Sequence, residues 1–216
     1  MLVSEKPCRA KTVTAAATMT LRLEGRCAAA VTVFARQGFS DTSIQEVATE
    51  AGVAPTAVYY HFSGKEELFE AALRNVLDTI NEVVAEARAD DQPGDPELLG
   101  HVISAVWTWL EEHPDAARLV NHHLPGATSK TRVLQDQYEA LHITRAFDYI
   151  APPGGLRTKR NAAARHASET LAARTFIALT LLIHPMRAHN GPLTRYSGRS
   201  LKAGLIDTSA RILDVA

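Results

Sequence analysis

Two cysteines, Cys8 and Cys27, in 216 residues leave no disulfide framework to build and no thiol metal motif to fill. Long apolar runs are missing too, since the longest, Phe176 to Ile183, falls far short of the about 20 residues that span a bilayer. Excess charge of one sign is absent, with 23 Lys and Arg against 24 Asp and Glu, a balance that weighs against a nucleic-acid partner until placement is considered. No strand alternation, internal repeat or low-complexity block appears. Neither a glycine-rich phosphate loop nor a nucleophile elbow is present, and no carboxylate pair stands with a base. No catalytic residue is therefore assigned, and Asp207 and Asp214 read as surface groups. Histidine is more plentiful, at nine, and His122-His123 could suggest a metal sensor. No pair shows the i, i+4 spacing around a carboxylate that a helical zinc site uses, so neither metal nor cofactor is expected. Ala15 to Leu21 is too short and polar for the apolar core of an export signal, and a cytoplasmic, membrane-free protein is the expectation.

What is present is concentrated between Gly38 and Phe69, GFSDTSIQEVATEAGVAPTAVYYHFSGKEELF. Ile44, Val47, Ala48 and Ala51 recur at offsets of three, four and seven, with Thr42 ahead of them and Gln45 three residues after it. That reads as a capping box opening a two-turn helix. Gly52 stops this helix and Pro55 suits the first turn of the next, which together make a helix-turn-helix spacing. On the second helix Val58 and Phe62 face inward, whereas Thr56 and Tyr60 face out and Tyr59 flanks Pro55. Pro55 and Thr56, at the slim end of such a helix, can approach base edges or thymine methyls; Tyr60 and His61 can bond phosphate. Ser63 to Glu66 reads as a further capping box, with Lys65 placing a cation at a helix start that already attracts phosphate.

Gly38-Phe39, Thr42-Ser43, Glu46-Val47-Ala48, Ala51-Gly52-Val53, Val58-Tyr59-Tyr60-His61-Phe62 and Lys65-Glu66-Glu67-Leu68 together resemble the N-terminal domain of TetR-family transcriptional regulators, over about Cys27 to Leu73. The resemblance implies a DNA-binding head on a larger helical body that binds a ligand and dimerises, usually as a repressor. It also implies Gln45, Pro55, Thr56 and Tyr59 as base-proximal, and Thr42, Ser43, Tyr60, His61 and Lys65 as phosphate-proximal. Two positions depart from the family pattern. Ala54 stands where a serine or threonine usually caps the recognition helix, and Arg26 where the first helix usually buries an aliphatic side chain.

The fold expected is all-α. Residues 1–20 form a flexible tail, 21–64 a three-helix head whose first helix carries Cys27, Ala30, Val31, Phe34 and Ala35 and ends at Gly38, and 65–216 the helical body. The tail's Lys6, Arg9 and Lys11 could instead form an arm that reaches the minor groove. Residues 1–26 hold five basic and two acidic side chains, while Glu46, Glu50, Glu66, Glu67 and Glu70 can face away from a duplex, so DNA affinity is expected to depend heavily on dimerisation. From Glu66 one apolar face runs to Ala87, joining head to body. A break at Asp90 to Pro96 is followed by a helix ending at His113-Pro114, another over about Ser129 to Tyr149, one from about Thr158 to Ile183 and a last through Leu201 and Ile212. Trp107, Trp109, Tyr138, Phe147 and Phe176, with Asn121, His122 and Arg145 as polar anchors, are candidates to line a pocket for a small, largely apolar inducer. Each reads equally as a core or rim residue. Phe176, Leu179, Ile183, Leu201, Leu205, Thr208 and Ile212 are the candidate homodimer interface, with Gly204 allowing close helix approach; burial within one chain is the competing reading. A helical carrier or enzyme that kept the head as a packing element, or a corepressor acting through its dimer surface, are the rival functions.

Overall fold

The computed structural model describes residues 15–89, 97–122 and 193–215, together with 132–133, 136–138, 140–141, 171, 174–175, 177–181 and 183; side chains within 15–26, 121–122 and 212–215 lie outside that description. Among the described residues there is no strand. Helix α1 spans Ala15–Asp41, α2 Ile44–Glu50, α3 Pro55–Tyr59, α4 Lys65–Ala87, α5 Leu98–Glu112, α6 Pro114–His122 and α7 Gly198–Val215. Helix α1 begins inside the stretch expected to be a flexible tail, where Ala15-Ala16-Ala17 supplies high helix propensity. Residues 1–14, the tail's lysines and the break at 90–96 lie outside the described residues, and so do most of the helices expected over 129–149 and 158–183. Those of their residues that are described are helical.

Head and body share one core. Phe34, Val33 and Ala30 of α1, Val47 of α2, Val58 of α3, and Leu68, Phe69, Ala72 and Leu73 of α4 are fully buried. The same apolar cluster continues through Leu98, Val102, Val106 and Leu110 of α5 to Leu119 of α6. Each large apolar side chain taken from water contributes about 1.5–3 kcal/mol, so a cluster this continuous couples the elements that share it. Helix α1 packs on α6 as well as on α2 and α4, which ties the helix-turn-helix to the body at two places. A second cluster, Leu99, Ile103 and Trp107 against Leu205, joins α5 to α7. The close approach between these helices is at Gly100, where an added Cβ would lie 3.7 Å from Ile206 Cγ2; at Gly204 an added Cβ meets nothing within 4 Å.

Two helix starts differ by one residue from the expected capping boxes. At α2 the cap is Ser43, not Thr42, and its partner is Glu46, not Gln45. The Ser43 N–H and hydroxyl both donate to Glu46 Oε2, at 2.8 Å each, and Ser43 Oγ accepts from the Glu46 N–H at 3.3 Å. Thr42 is instead buried, its hydroxyl donating to the Gly38 carbonyl at 2.6 Å. At α4 the residue before the helix is Gly64, without a side-chain cap, and Ser63 donates from N–H and hydroxyl to Glu67 at 2.7 and 2.6 Å rather than pairing with Glu66. A side chain four residues on reaches back as well as one three on, so the spacing alone leaves the register of a box open by one.

Candidate nucleic-acid interface

The turn between α2 and α3 is built by backbone bonds closing on a glycine. Gly52 has φ +64°, its N–H donates to the Thr49 carbonyl at 3.0 Å, and the Val53 N–H donates to the Ala48 carbonyl at 2.9 Å. This pair of bonds satisfies carbonyls that the end of α2 would otherwise leave open, and it needs the left-handed residue that glycine supplies. Pro55 then starts α3 after Ala54, whose extended backbone (φ −70°, ψ 145°) has the shape of a cap but whose methyl group donates and accepts nothing. Val58 and Phe62 are buried and hold α3 down, as their one-turn spacing predicts. Helix α3 is short: the Tyr60 N–H bonds Thr56 O, and the His61 and Phe62 N–H groups both bond Val58 O, so Tyr60 and His61 lie in the turn that leaves it.

What remains is an outward face. Gln45, Pro55, Thr56, Tyr59 and Tyr60 are exposed together, with Tyr60 at 83% and Tyr59 at 51%, the most exposed aromatic groups of the head. The Tyr60 ring meets the His61 ring edge to face at 4.9 Å, and His61 is half-buried. Large aromatic side chains presented to solvent at the head of a turn offer hydroxyls and flat faces suited to phosphate and sugar, while the slim residues Pro55 and Thr56 leave room for base edges. Ser43 is half-buried and engaged in its cap. Glu46 is held below its ordinary value by the Ser43 backbone and side-chain hydrogen bonds first, with Gln37 Nε2, 3.0 Å from the same oxygen, adding to them. Its negative charge is thus engaged at the start of α2. Glu50 pairs with Arg36 at 3.7 Å.

Two residues grouped with the phosphate contacts are turned onto the protein. Thr42 is buried on Gly38, and Lys65 Nζ donates to the Ser40 carbonyl at 3.0 Å while lying 4.7 Å from the centroid of the Phe39 ring.

Of the ligand candidates, the side chains of Trp107, Trp109 and Tyr138 are described, and they have different surroundings. Trp107 is fully buried in the α5–α7 cluster, whereas Trp109, two residues on and on another face of α5, packs on the main core and stacks on His113 at 4.6 Å. The Tyr138 hydroxyl donates to Asp78 of α4, and burial and that bond push its phenol up to about 12. Arg145, Phe147 and Phe176 and the side chains of Asn121 and His122 lie outside the described residues.

The interface candidates do gather. Leu179, Ile183, Leu201, Gly204, Leu205 and Thr208 line one open apolar groove of about 330 Å³, rimmed by Leu193, Tyr196 and Ser200. Leu205, however, is buried in its own protomer against α5, which makes it a core residue at the floor of the groove; Thr208 is exposed and Leu201 half-buried. Phe176 and the Ile212 side chain lie outside the described residues. Among the described residues no group of three or more His, Cys, Asp or Glu gathers as a metal site, and no helix is long and apolar enough to cross a membrane.

Residues 27–72 match the family model described as bacterial regulatory proteins, tetR family. Over 88 residues the chain is 33% identical to the transcriptional repressor NicS of Pseudomonas putida, covering 40% of this chain and 41% of that one. It is 35% identical over 125 residues to the transcriptional repressor KstR2 of Rhodococcus jostii, covering 56% and 52%. The matches thus span about half the length of these curated relatives, or less. A solved transcriptional regulator from Rhodococcus sp. Rha1 superimposes with a TM-score of 0.69 at 24% identity over 90% of this chain and 97% of that one, showing that the fold extends through the body. Residues 27–72, with the Gly52 turn and the exposed tyrosine face, thus form a domain of the tetR family of bacterial regulatory proteins.

Proposed function

We propose that the chain is a homodimeric transcriptional regulator that releases operator DNA when its body binds a small, largely apolar molecule. The observation that carries the DNA partner is the exposure of Gln45, Pro55, Thr56, Tyr59 and Tyr60 around a turn closed by the Gly52 and Val53 backbone bonds. On this reading Gln45, Pro55, Thr56 and Tyr59 face bases, and Ser43, Tyr60 and His61 face phosphates. One such head covers half a site, and two must sit one helical turn, about 34 Å, apart. The apolar groove between residues 179–183 and α7 supports a dimer through that face. The shared core supports the coupling: a ligand that favours one packing of α4 to α6 alters α1 as well, and it shifts binding only to the extent that it prefers one state. Two solved neighbours of this fold, FadR from Bacillus subtilis in complex with stearoyl-CoA at 17% identity and AibR in complex with isovaleryl coenzyme A and operator DNA at 18%, support an acyl-bearing ligand as the first class to try.

The test is selection of duplex DNA from a random pool by the full chain, followed by footprinting on the recovered sequence. A two-fold symmetric consensus protected over two successive major-groove segments is expected. Failure to enrich any sequence would sink the proposal.

A further inference from the structure

One face of α4 lies in the core, from Leu68 and Phe69 through Leu73, Val76 and Leu77 to Ile80 and Val84. Another face carries Glu70, Arg74 and Asp78 at one-turn spacing, with Arg74 paired to Glu70 at 3.1 Å. Onto this charged row comes Tyr138, sixty residues beyond Asp78 in the chain, from a segment whose described residues are helical. Its ring packs against the main core and its hydroxyl donates to Asp78 Oδ1. Burial first, then the bond to Asp78, push this phenol up to about 12, against the opposing pull of the Arg74 guanidinium. At neutral pH it is therefore a protonated donor. From Lys65 to Asp78 is about 20 Å along the helix axis. Leu68 and Phe69, near the start of that length, share their core with Phe34, Val47 and Val58 of the head. A side chain that fixes the middle of α4 thus acts on the head through one continuous helix.

We propose that Tyr138 is a positioning residue whose hydroxyl, on Asp78, straps the middle of α4 to the body and so fixes where the helix-turn-helix stands when it meets DNA. Its effect on DNA affinity rests on the function proposed above; the strap itself rests on the geometry alone. Apolar contact is non-directional and lets one helix shift against another, whereas a hydroxyl on a carboxylate has a narrow range of length and angle and is among the stronger hydrogen bonds. Without it α4 is spread over more positions, and the fraction of molecules ready to bind DNA falls.

The experiment compares the unmodified full chain with Tyr138→Phe, which keeps the ring and removes the donor, with Asp78→Ala, which removes the acceptor, and with the double variant. The probe is the duplex recovered by random-pool selection, and circular dichroism at the assay temperature checks that each variant is folded. Each single change is expected to weaken binding about fivefold and the double variant no further, because either change removes the same bond. The slope of log affinity against log salt should be unchanged in Tyr138→Phe, since no phosphate contact is lost. Unaltered or tighter binding, losses that multiply in the double variant, or a smaller slope would overturn the proposal. A second measurement needs no DNA: hydrogen exchange at the amides of residues 75–81 should quicken in both single variants. Unaltered exchange there overturns the strap. Should the unmodified chain select no duplex at all, the DNA reading falls while the exchange measurement still decides the strap.

Discussion

Tyr60 illustrates how much of the proposed interface rests on single side chains. Its hydroxyl is exposed on a head whose acidic and basic groups nearly balance, so phosphate contacts must come from neutral donors as well as cations. Tyr60→Phe is expected to weaken all duplexes alike, whereas Thr56→Ala or Gln45→Ala should change which bases are preferred, by about 1–3 kcal/mol per lost base contact. Repeating the random-pool selection separates them, since recovery of one common consensus by all the variants would remove Thr56 and Gln45 from base reading. Glu46 adds a pH dependence. Its folded-state pKa lies below the ordinary 4.5, so its contribution is complete above that value and is lost as pH falls through the folded pKa. Acid unfolding followed by circular dichroism should therefore show Glu46→Gln narrowing its gap to the unmodified chain below pH 4.5. Tyr138 runs the other way. Its pKa is raised from 10.0 to about 12, so its share of stability is intact below pH 10 and disappears as pH climbs toward 12.

Element ends decide how firmly the head holds its shape. Gly52 and Gly38 both have positive φ and neither Cβ would touch an atom, so a substitution at either costs conformational energy alone. Gly52, at a left-handed helix end, should lose about 1–2 kcal/mol on change to Ala, and less to Asn. Gly38 combines φ 81° with ψ 173°, a region essentially restricted to glycine, and Gly38→Ala should cost more. Urea unfolding ranks the two, and equal costs would contradict the conformational argument. Ala54 offers the opposite change. Its backbone is already extended, so Ala54→Ser should gain about 1 kcal/mol by capping α3, detectable as a higher unfolding midpoint.

For the molecule as a whole, the proposed dimer rests on the groove along α7. Leu205→Glu is a poor probe, because Leu205 is buried against Leu99, Ile103 and Trp107 and an unpaired charge there would unfold its own protomer. Thr208 and Gly204 lie exposed along the groove, and Gly204 has open space around it. Gly204→Arg and Thr208→Arg are therefore expected to leave helicity unchanged, shift the chain to monomer in sedimentation and reduce DNA affinity with it. A dimer that persists in both would place the interface elsewhere.

The helix-turn-helix was legible because its information is local. The period of Ile44, Val47 and Ala48, the glycine at 52, the proline at 55 and the Val58–Phe62 pair each act within a turn or two of chain, and the family pattern over 27–72 consists of the same residues. Local reading failed where two neighbours compete for one job. Thr42 and Ser43 can each cap a helix, and only the corner made by Gly38, with a carbonyl waiting for the Thr42 hydroxyl, assigns the cap to Ser43. Periodicity also marks a side chain as apolar-facing without saying which neighbour covers it. Trp107 and Trp109 differ in partner, Leu205 is core while Thr208 is surface, and Lys65 turns back to a residue 25 positions earlier. Helix starts, stops and faces thus follow from sequence because backbone bonding and side-chain period are short-range. Which faces meet, and whether a cation reaches solvent or its own fold, are set by contacts between residues far apart in the chain, and those exist only once the helices have packed.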